Sequence, residues 1–139
     1  EFEALSGNYA EFVELLANSD IVTLHCPLTP ETRGLIGPAE FAAMERHPLL
    51  INTARGGLVD EGALVKALDT RQVAGAGFDV ATSEPPAADH VLMTLVDRPD
   101  FILTPHVAWA SREAIQALAD QTIDNIEAFR AGSPRNVVG

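Results

Sequence analysis

The chain has 139 residues, of which 47% are hydrophobic and 21% charged, a balance typical of one globular domain. Nine basic and twenty acidic side chains give a net charge of −11, which argues against binding to nucleic acid or to an anionic membrane surface. The sequence contains no apolar run that could cross a bilayer and no signal-peptide pattern. Its single cysteine, Cys26, cannot form an internal disulfide, so we expect a cytoplasmic protein.

Short helical patterns alternate with short apolar runs along the chain. The predicted elements are, in order, a helix capped by Asn8, a strand at 21–24, a helix from Pro38, a strand at 49–52, a helix from Asp60, strands at 73–80 and 101–103, and a long helix from Ser111 to about Arg130. Strands that are apolar throughout and separated by helices predict a parallel sheet with helices on both faces. The fold class is therefore α/β.

Polar side chains follow several of the predicted strands. Ligands of open parallel sheets bind beyond the carboxyl ends of the strands. We therefore expect the segments 25–29, 53–57, 79–85 and 104–110 to lie along one edge of the sheet. The loop at 83–99 is long for a compact domain, and long ordered loops are often functional.

Four of these side chains have the chemistry of an active site. The guanidinium of Arg55 suits a substrate carboxylate, and the imidazole of His106 suits proton transfer near neutral pH. Asp79 and Glu84 add two carboxylates, and a carboxylate beside a histidine orients the ring and favours its charged form. Together they predict a site for a small acid that carries an alcohol or a ketone. No spacing of metal ligands is visible.

Each residue also has an ordinary structural explanation. Arg55 could form a surface salt bridge, His106 could bond to a loop backbone, Glu84 could be solvated, and Asp79 could cap a turn. Their shared position after successive strands favours the functional interpretation. We interpret the other histidines, His25, His47 and His90, as structural, although His25 also follows a predicted strand.

Four segments resemble the signature blocks of the D-isomer-specific 2-hydroxyacid dehydrogenases. They are "HCPLTPETRGLI" (25–36), "INTARGGLVDEGALVKAL" (51–68), "GFDVATSEPP" (77–86) and "TPHVAWAS" (104–111). They occur in the order and at the spacing of that family, and the resemblance extends from Tyr9 to Val138. The last block is most similar to the hydroxypyruvate and glyoxylate reductase and glycerate dehydrogenase branch. The resemblance implies an oxidoreductase that interconverts a 2-keto acid and a D-2-hydroxy acid with NAD or NADP.

The resemblance also implies roles for individual residues. Arg55 would bind the substrate carboxylate and carbonyl, His106 would act as general acid or base, and Glu84 would keep His106 charged. Trp109 would flank the substrate pocket, and the two glycines after Arg55 would leave room for substrate and nicotinamide. The residues expected near the nicotinamide are Cys26, Pro27, Thr53, Ala54, Arg55, Asp79 and His106.

One part of the family pattern is missing from the chain. No Gly-x-Gly-x-x-Gly turn leads into a helix, because "GAGFDV" (75–80) has two glycines but ends a strand. In the family this turn and most of the substrate domain lie upstream. We therefore expect residues 1–139, which do not begin with Met, to be the second half of a Rossmann-like dinucleotide-binding domain. Residues 111–139 would form the helix and tail that return to the missing domain.

An incomplete sheet has physical consequences. It leaves an exposed edge and an uncovered apolar flank, so the isolated chain is expected to self-associate, as a homodimer by family resemblance, or to be marginally stable. It is also expected to bind NAD weakly and to be inactive alone. The alternatives are a non-catalytic dinucleotide-sensing interaction module, a truncated fragment without function and, among enzymes, a formate dehydrogenase.

Overall fold

A computed structural model of the chain describes residues 7–138, which form two compact units divided after His106. The first unit consists of α1 (Phe12–Asn18), β1 (Ile21–Leu24), α2 (Pro38–Ala42), β2 (Leu49–Asn52), α3 (Glu61–Asp69), β3 (Gly75–Phe78), a 3₁₀ helix (Val91–Leu95) and β4 (Phe101–Leu103). The second unit consists of one long helix, α4 (Arg112–Arg130), and its flanking segments. Among the described residues, no helix has the length and apolar character needed to span a membrane.

The four strands form one parallel sheet in the order β1-β2-β3-β4, which confirms the predicted sheet. Strands that are neighbours in sequence are also neighbours in space, and right-handed crossovers then place all connecting helices on the same face. Side chains on that face are buried in one core, which includes Val22, Leu24, Leu50 and Phe101. Helices therefore cover one face of this sheet.

The other face of the sheet carries exposed apolar side chains. Ile21, Leu49 and Ile102 are 61%, 43% and 65% exposed. The first unit thus has the uncovered apolar flank that half a sheet was expected to leave. Helices on this second face, which the sequence analysis also expected, are absent from the described part of the first unit.

Local sequence signals identify most helix starts correctly. Pro38 opens α2, and the N–H of Gly37 donates to Oε2 of Glu40 at 2.9 Å. Ser111 caps α4, because its Oγ accepts the N–H of Ala114 at 3.1 Å. The predicted cap at Asn8 is wrong, because α1 begins at Phe12 with Glu11 in the cap position. The predicted strand at 73–80 is shorter than expected and spans Gly75–Phe78.

Asp60, where the sequence predicted a helix start, caps α3, since its Oδ1 accepts the N–H of Ala63 at 2.9 Å. Replacing a capping aspartate with alanine leaves that N–H without its partner, so Asp60→Ala should lower the free energy of unfolding by about 1 kcal/mol in urea denaturation. Lys66→Ala, an exposed change on the same helix, is the control and should alter it by less than about 0.5 kcal/mol. Equal stability of Asp60→Ala and the wild type would show that the cap contributes nothing.

Candidate active site

The predicted site residues of the first unit follow the strands at one edge of the sheet. Asn52 pairs with Phe78 and Phe78 pairs with Leu103, so the carboxyl ends of β2, β3 and β4 are level. Arg55 and His106 lie three residues beyond β2 and β4, and Asp79 lies directly beyond β3. The sheet register therefore brings the loops that carry the predicted cation, carboxylates and imidazole to the same edge.

His106 and Glu84 form a close pair. Nδ1 of His106 lies 2.6 Å from Oε2 of Glu84, and the other carboxylate oxygen, Oε1, accepts the N–H of Ala81 at 3.0 Å. The hydrogen bond from His106 holds the pKa of Glu84 below its ordinary value, helped by the Ala81 N–H and by the charges of His106 and Arg55. Glu84 is therefore ionised near neutral pH, and Nδ1–H of His106 donates to it.

The backbone at His106 adopts an uncommon conformation. Its φ of 55° lies in the left-handed region, and its N–H donates to the carbonyl of Thr104 at 3.0 Å. Thr104 is itself held to the end of β3, because its N–H donates to the carbonyl of Phe78 at 2.9 Å and its hydroxyl donates to Oδ1 of the buried Asp79. Left-handed backbone at a non-glycine residue costs free energy and is common at functional sites.

A cavity of about 460 Å³ opens beside this pair. Its polar lining comes from Asp79, Glu84, Thr104 and His106. The rest of its lining is mostly apolar: Val80, Ala81, Pro85, Pro86, Met93, Val96, Leu103 and Pro105. A few convergent polar groups in a mostly apolar wall are typical of a small-molecule site.

Arg55 lies on the neighbouring loop and does not line this cavity. Its side chain is exposed, and Nη1 donates to the carbonyl of Ala54 at 2.7 Å. The fully buried Asn52 shapes this loop: its Nδ2 donates to the carbonyl of Arg55 at 3.0 Å, and its Oδ1 accepts the N–H of Ala54 at 3.1 Å. Sequence reasoning missed Asn52, although an asparagine that ends an apolar strand is a signal for side-chain bonds to the next turn.

The expectation that both glycines after Arg55 make room for ligands is wrong for Gly56. A Cβ on Gly56 would lie 1.9 Å from the carbonyl oxygen of Ala81 and 2.6 Å from the nitrogen of Thr82. The bare backbone at Gly56 is therefore needed by the chain itself, where the loop after β3 crosses the loop after β2. Gly57 has a φ of 82°, a conformation that favours glycine.

The remaining predicted site residues lie after β1 and β2 or in the second unit. Cys26 and Ala54 are half-buried against the core, and Pro27 and Thr53 are exposed. Because β1 and β2 are paired in parallel, these four residues lie at the same edge as Arg55. Trp109 belongs to the second unit and is 57% exposed, and its role remains a prediction.

Two histidines outside the pair form contacts of their own. Nε2 of His25 lies 3.0 Å from the hydroxyl of Thr23, and Nε2 of His90 lies 3.3 Å from Oε2 of the buried Glu61. Glu61 also accepts the N–H and the hydroxyl of Thr82, both at 2.9 Å. Sequence reasoning identified Glu61 only as part of a helix start.

Within residues 7–138, no three histidine, cysteine, aspartate or glutamate side chains are grouped to hold a metal ion.

Comparison with known proteins identifies relatives over most of the chain. The model of a family described as "D-isomer specific 2-hydroxyacid dehydrogenase, NAD binding domain" matches residues 1–108. A glycerate dehydrogenase of Methylorubrum extorquens is 56% identical over 124 residues, which cover 89% of this chain and 39% of that protein. A hydroxypyruvate reductase of Blautia hydrogenotrophica is 42% identical over 94% of this chain and 39% of that protein.

Solved structures similar to this chain include members of the same dehydrogenase family. The NAD-complexed D-isomer specific 2-hydroxyacid dehydrogenase of Lactobacillus delbrueckii ssp. bulgaricus superimposes with a TM-score of 0.86 at 34% sequence identity. The match covers 94% of this chain and 43% of that structure. The chain thus spans about two fifths of the length of these curated relatives.

Because the two loops touch at Gly56, adding a single methyl group there should strongly affect stability and loop position. Gly56→Ala should lower the unfolding midpoint and displace the loops that carry Arg55 and Glu84, because the Cβ would meet backbone atoms that cannot rotate away. Gly62→Ala, in the first turns of α3, is the matched control: its Cβ would lie 3.4 Å from Oδ1 of Asp60, and it should raise stability by up to about 1 kcal/mol. Thermal unfolding of both variants tests this, and a Gly56→Ala protein as stable as the wild type would contradict it.

Proposed function

Because the chain belongs to the D-isomer-specific 2-hydroxyacid dehydrogenase family, we propose that the protein containing it is a nicotinamide-dependent oxidoreductase that interconverts a 2-keto acid and a D-2-hydroxy acid. The observation that carries this proposal is the hydrogen bond between His106 and Glu84, with the charge of Arg55 acting on the same carboxylate. The substrate we propose is of the hydroxypyruvate or glyoxylate type, because relatives of this chain are named hydroxypyruvate reductase and, in Aeropyrum pernix, glyoxylate reductase.

The described residues suit the nicotinamide end of the cofactor. Asp79 presents a buried carboxylate at the wall of the cavity, where it could accept hydrogen bonds from a carboxamide, and Cys26, Pro27, Thr53 and Ala54 would line the same edge. When bound, NAD or NADP supplies or receives the hydride. The glycine-rich turn for the pyrophosphate is absent from this sequence, so the isolated chain should bind dinucleotide weakly.

The proposed proton path runs through His106. With Nδ1–H donated to Glu84, the ring presents its other nitrogen, Nε2, to the substrate. In reduction Nε2–H would give its proton to the oxygen of the keto group as hydride reaches the carbon, and in oxidation it would take the proton back. Glu84 would hold the ring orientation and stabilise the imidazolium through its negative charge.

Arg55 would bind the carboxylate of the substrate. A guanidinium offers two parallel N–H donors that match the two oxygens of a carboxylate, and Arg55 is exposed at the edge of the sheet where the strands end. Binding the acid on one side and protonating the ketone on the other would fix which face of the substrate carbon receives the hydride.

Arg55→Ala in the full-length protein should raise the KM for the keto acid by about a hundredfold or more, because the charge-assisted bonds to the carboxylate are lost. Arg55→Lys should recover only part of the affinity, since an ammonium group cannot form the paired bonds. Arg46→Ala is the control: Arg46 is an exposed arginine paired with Asp20 at 2.8 Å, before β2 rather than after it. Steady-state kinetics on hydroxypyruvate and glyoxylate give these values, and an unchanged KM in Arg55→Ala would exclude the role.

Glu84→Gln should change the pH dependence of catalysis. The carboxylate stabilises the charged imidazole, so its removal should move the loss of reduction at high pH, and the loss of oxidation at low pH, to lower pH values. Turnover should also fall, because the ring orientation is less well held. The exposed Glu45→Gln is the control. Rate profiles between about pH 5 and pH 10 test this, and superimposable profiles would show that Glu84 does not act on His106.

A further inference from the structure

The loop between Thr82 and His90 contains Glu84 and is largely exposed. Its residues from 82 to 85 and from 87 to 89 are exposed. Loops with little burial hold one conformation only where other bonds restrain them. The position of Glu84 is therefore restrained by the bonds at the two ends of the loop together with its own bonds to Ala81 and His106.

Both ends of this loop meet the same buried carboxylate. Glu61, in the first turn of α3, accepts the N–H and the hydroxyl of Thr82, and its Oε2 lies 3.3 Å from Nε2 of His90. Nε2 of His90 also lies 3.1 Å from the hydroxyl of Thr82. Nδ1 of His90 accepts the N–H of Leu92 at 3.3 Å, so the ring carries its hydrogen on Nε2 and can donate it to Glu61.

We propose that Glu61 is a positioning residue that holds the peptide between Ala81 and Thr82 and thereby aligns both the His106–Glu84 pair and Arg55. This inference rests on the proposed function, which assigns those three residues to catalysis. Glu61 contacts none of them through a described bond, and acts through Thr82.

Two contacts lead from this peptide to the catalytic residues. On one side, the N–H of Ala81 donates to Oε1 of Glu84, whose other oxygen accepts from His106. On the other side, the carbonyl of Ala81 and the nitrogen of Thr82 press against Gly56, next to Arg55 in sequence. A shift of the peptide would displace the acid–base pair and the cation together.

The chemistry of Glu61 supports a role beyond filling the core. A buried carboxylate costs free energy unless its oxygens are fully bonded, and an apolar side chain would fill the same space without that cost. Both oxygens of Glu61 are bonded, and every described partner belongs to the loop that carries Glu84. Hydrogen bonds of this kind fix the orientation of the loop backbone, which apolar packing alone does not fix.

The test compares Glu61→Ala, Glu61→Gln and Asp60→Ala in the full-length protein. Glu61→Ala should reduce kcat/KM for the keto acid about a hundredfold, with a lower kcat and a higher KM, because the reacting groups move out of register. Glu61→Gln should recover most of this loss, since its carbonyl can accept the Thr82 N–H and its amide can donate to the Thr82 hydroxyl. Asp60→Ala weakens the same helix without touching the loop, and should leave kcat/KM unchanged.

A second measurement does not depend on activity. The short bond from Nδ1 of His106 to Glu84 should give a downfield proton NMR signal, assigned by its loss in His106→Ala. Glu61→Ala should shift or abolish this signal, and Asp60→Ala should keep it. A Glu61→Ala protein with the wild-type rate and signal would overturn the positioning role. A wild type that reduces no 2-keto acid would overturn the proposed function, and the NMR comparison would still decide the positioning role.

Thr82→Val covers the case in which Glu61→Ala fails to fold. It removes the hydroxyl bond to Glu61, keeps the backbone bond and nearly preserves side-chain shape. We expect it to reduce kcat/KM by about fivefold and to shift the His106 proton signal. Wild-type values for both would contradict the proposal.

Discussion

The crossing of two loops over Gly56 is the constraint on which the candidate site depends. The loop after β2 carries Arg55, the loop after β3 carries Glu84, and their backbones touch where a Cβ would lie 1.9 Å from the carbonyl of Ala81. Such a contact tolerates no side chain at Gly56, so the two loops can lie this close only with a glycine there. The hydrogen bond from His106 is the main cause of the lowered pKa of Glu84, and the charge of Arg55, on the neighbouring loop, adds to it.

Local patterns predicted the strands and three of the four α-helix starts, because those features depend on neighbours in sequence, and failed only at the start of α1. Asp60 and Ser111 cap helices through bonds to residues three positions away, which a single sequence reveals. The bond from Thr82 to Glu61 spans 21 residues and the bond from Thr104 to Asp79 spans 25. No periodicity encodes such pairs, so Glu61 was assigned only to a helix start. The candidate catalytic residues were proposed because strand ends share an edge, which is a rule of topology, and because of the family resemblance; their roles remain predictions.

The direction of the strand order explains the exposed apolar surface. A doubly wound sheet has helices on both faces because its strand order reverses at one point. Here each strand is added beside the previous one in the order β1-β2-β3-β4, so the connecting helices all lie on one face. Ile21, Leu49 and Ile102 are then exposed on the other. In the second unit, α4 likewise exposes the apolar side chains of Ile115, Leu118 and Ile126. Apolar surface of this kind favours association.

The described residues bury three polar or charged side chains, Asn52, Glu61 and Asp79. Each one bonds to a loop at the edge where the strands end: Asn52 to the loop of Arg55, Glu61 to the loop of Glu84, and Asp79 to the segment of His106. Buried polar groups lower stability unless they are bonded, and a core shaped for stability alone would use apolar side chains at these positions. Their bonds instead orient backbone beside the candidate catalytic groups. The hydrogen bonds of these three side chains offset the cost of burying them and hold the loop backbones in place.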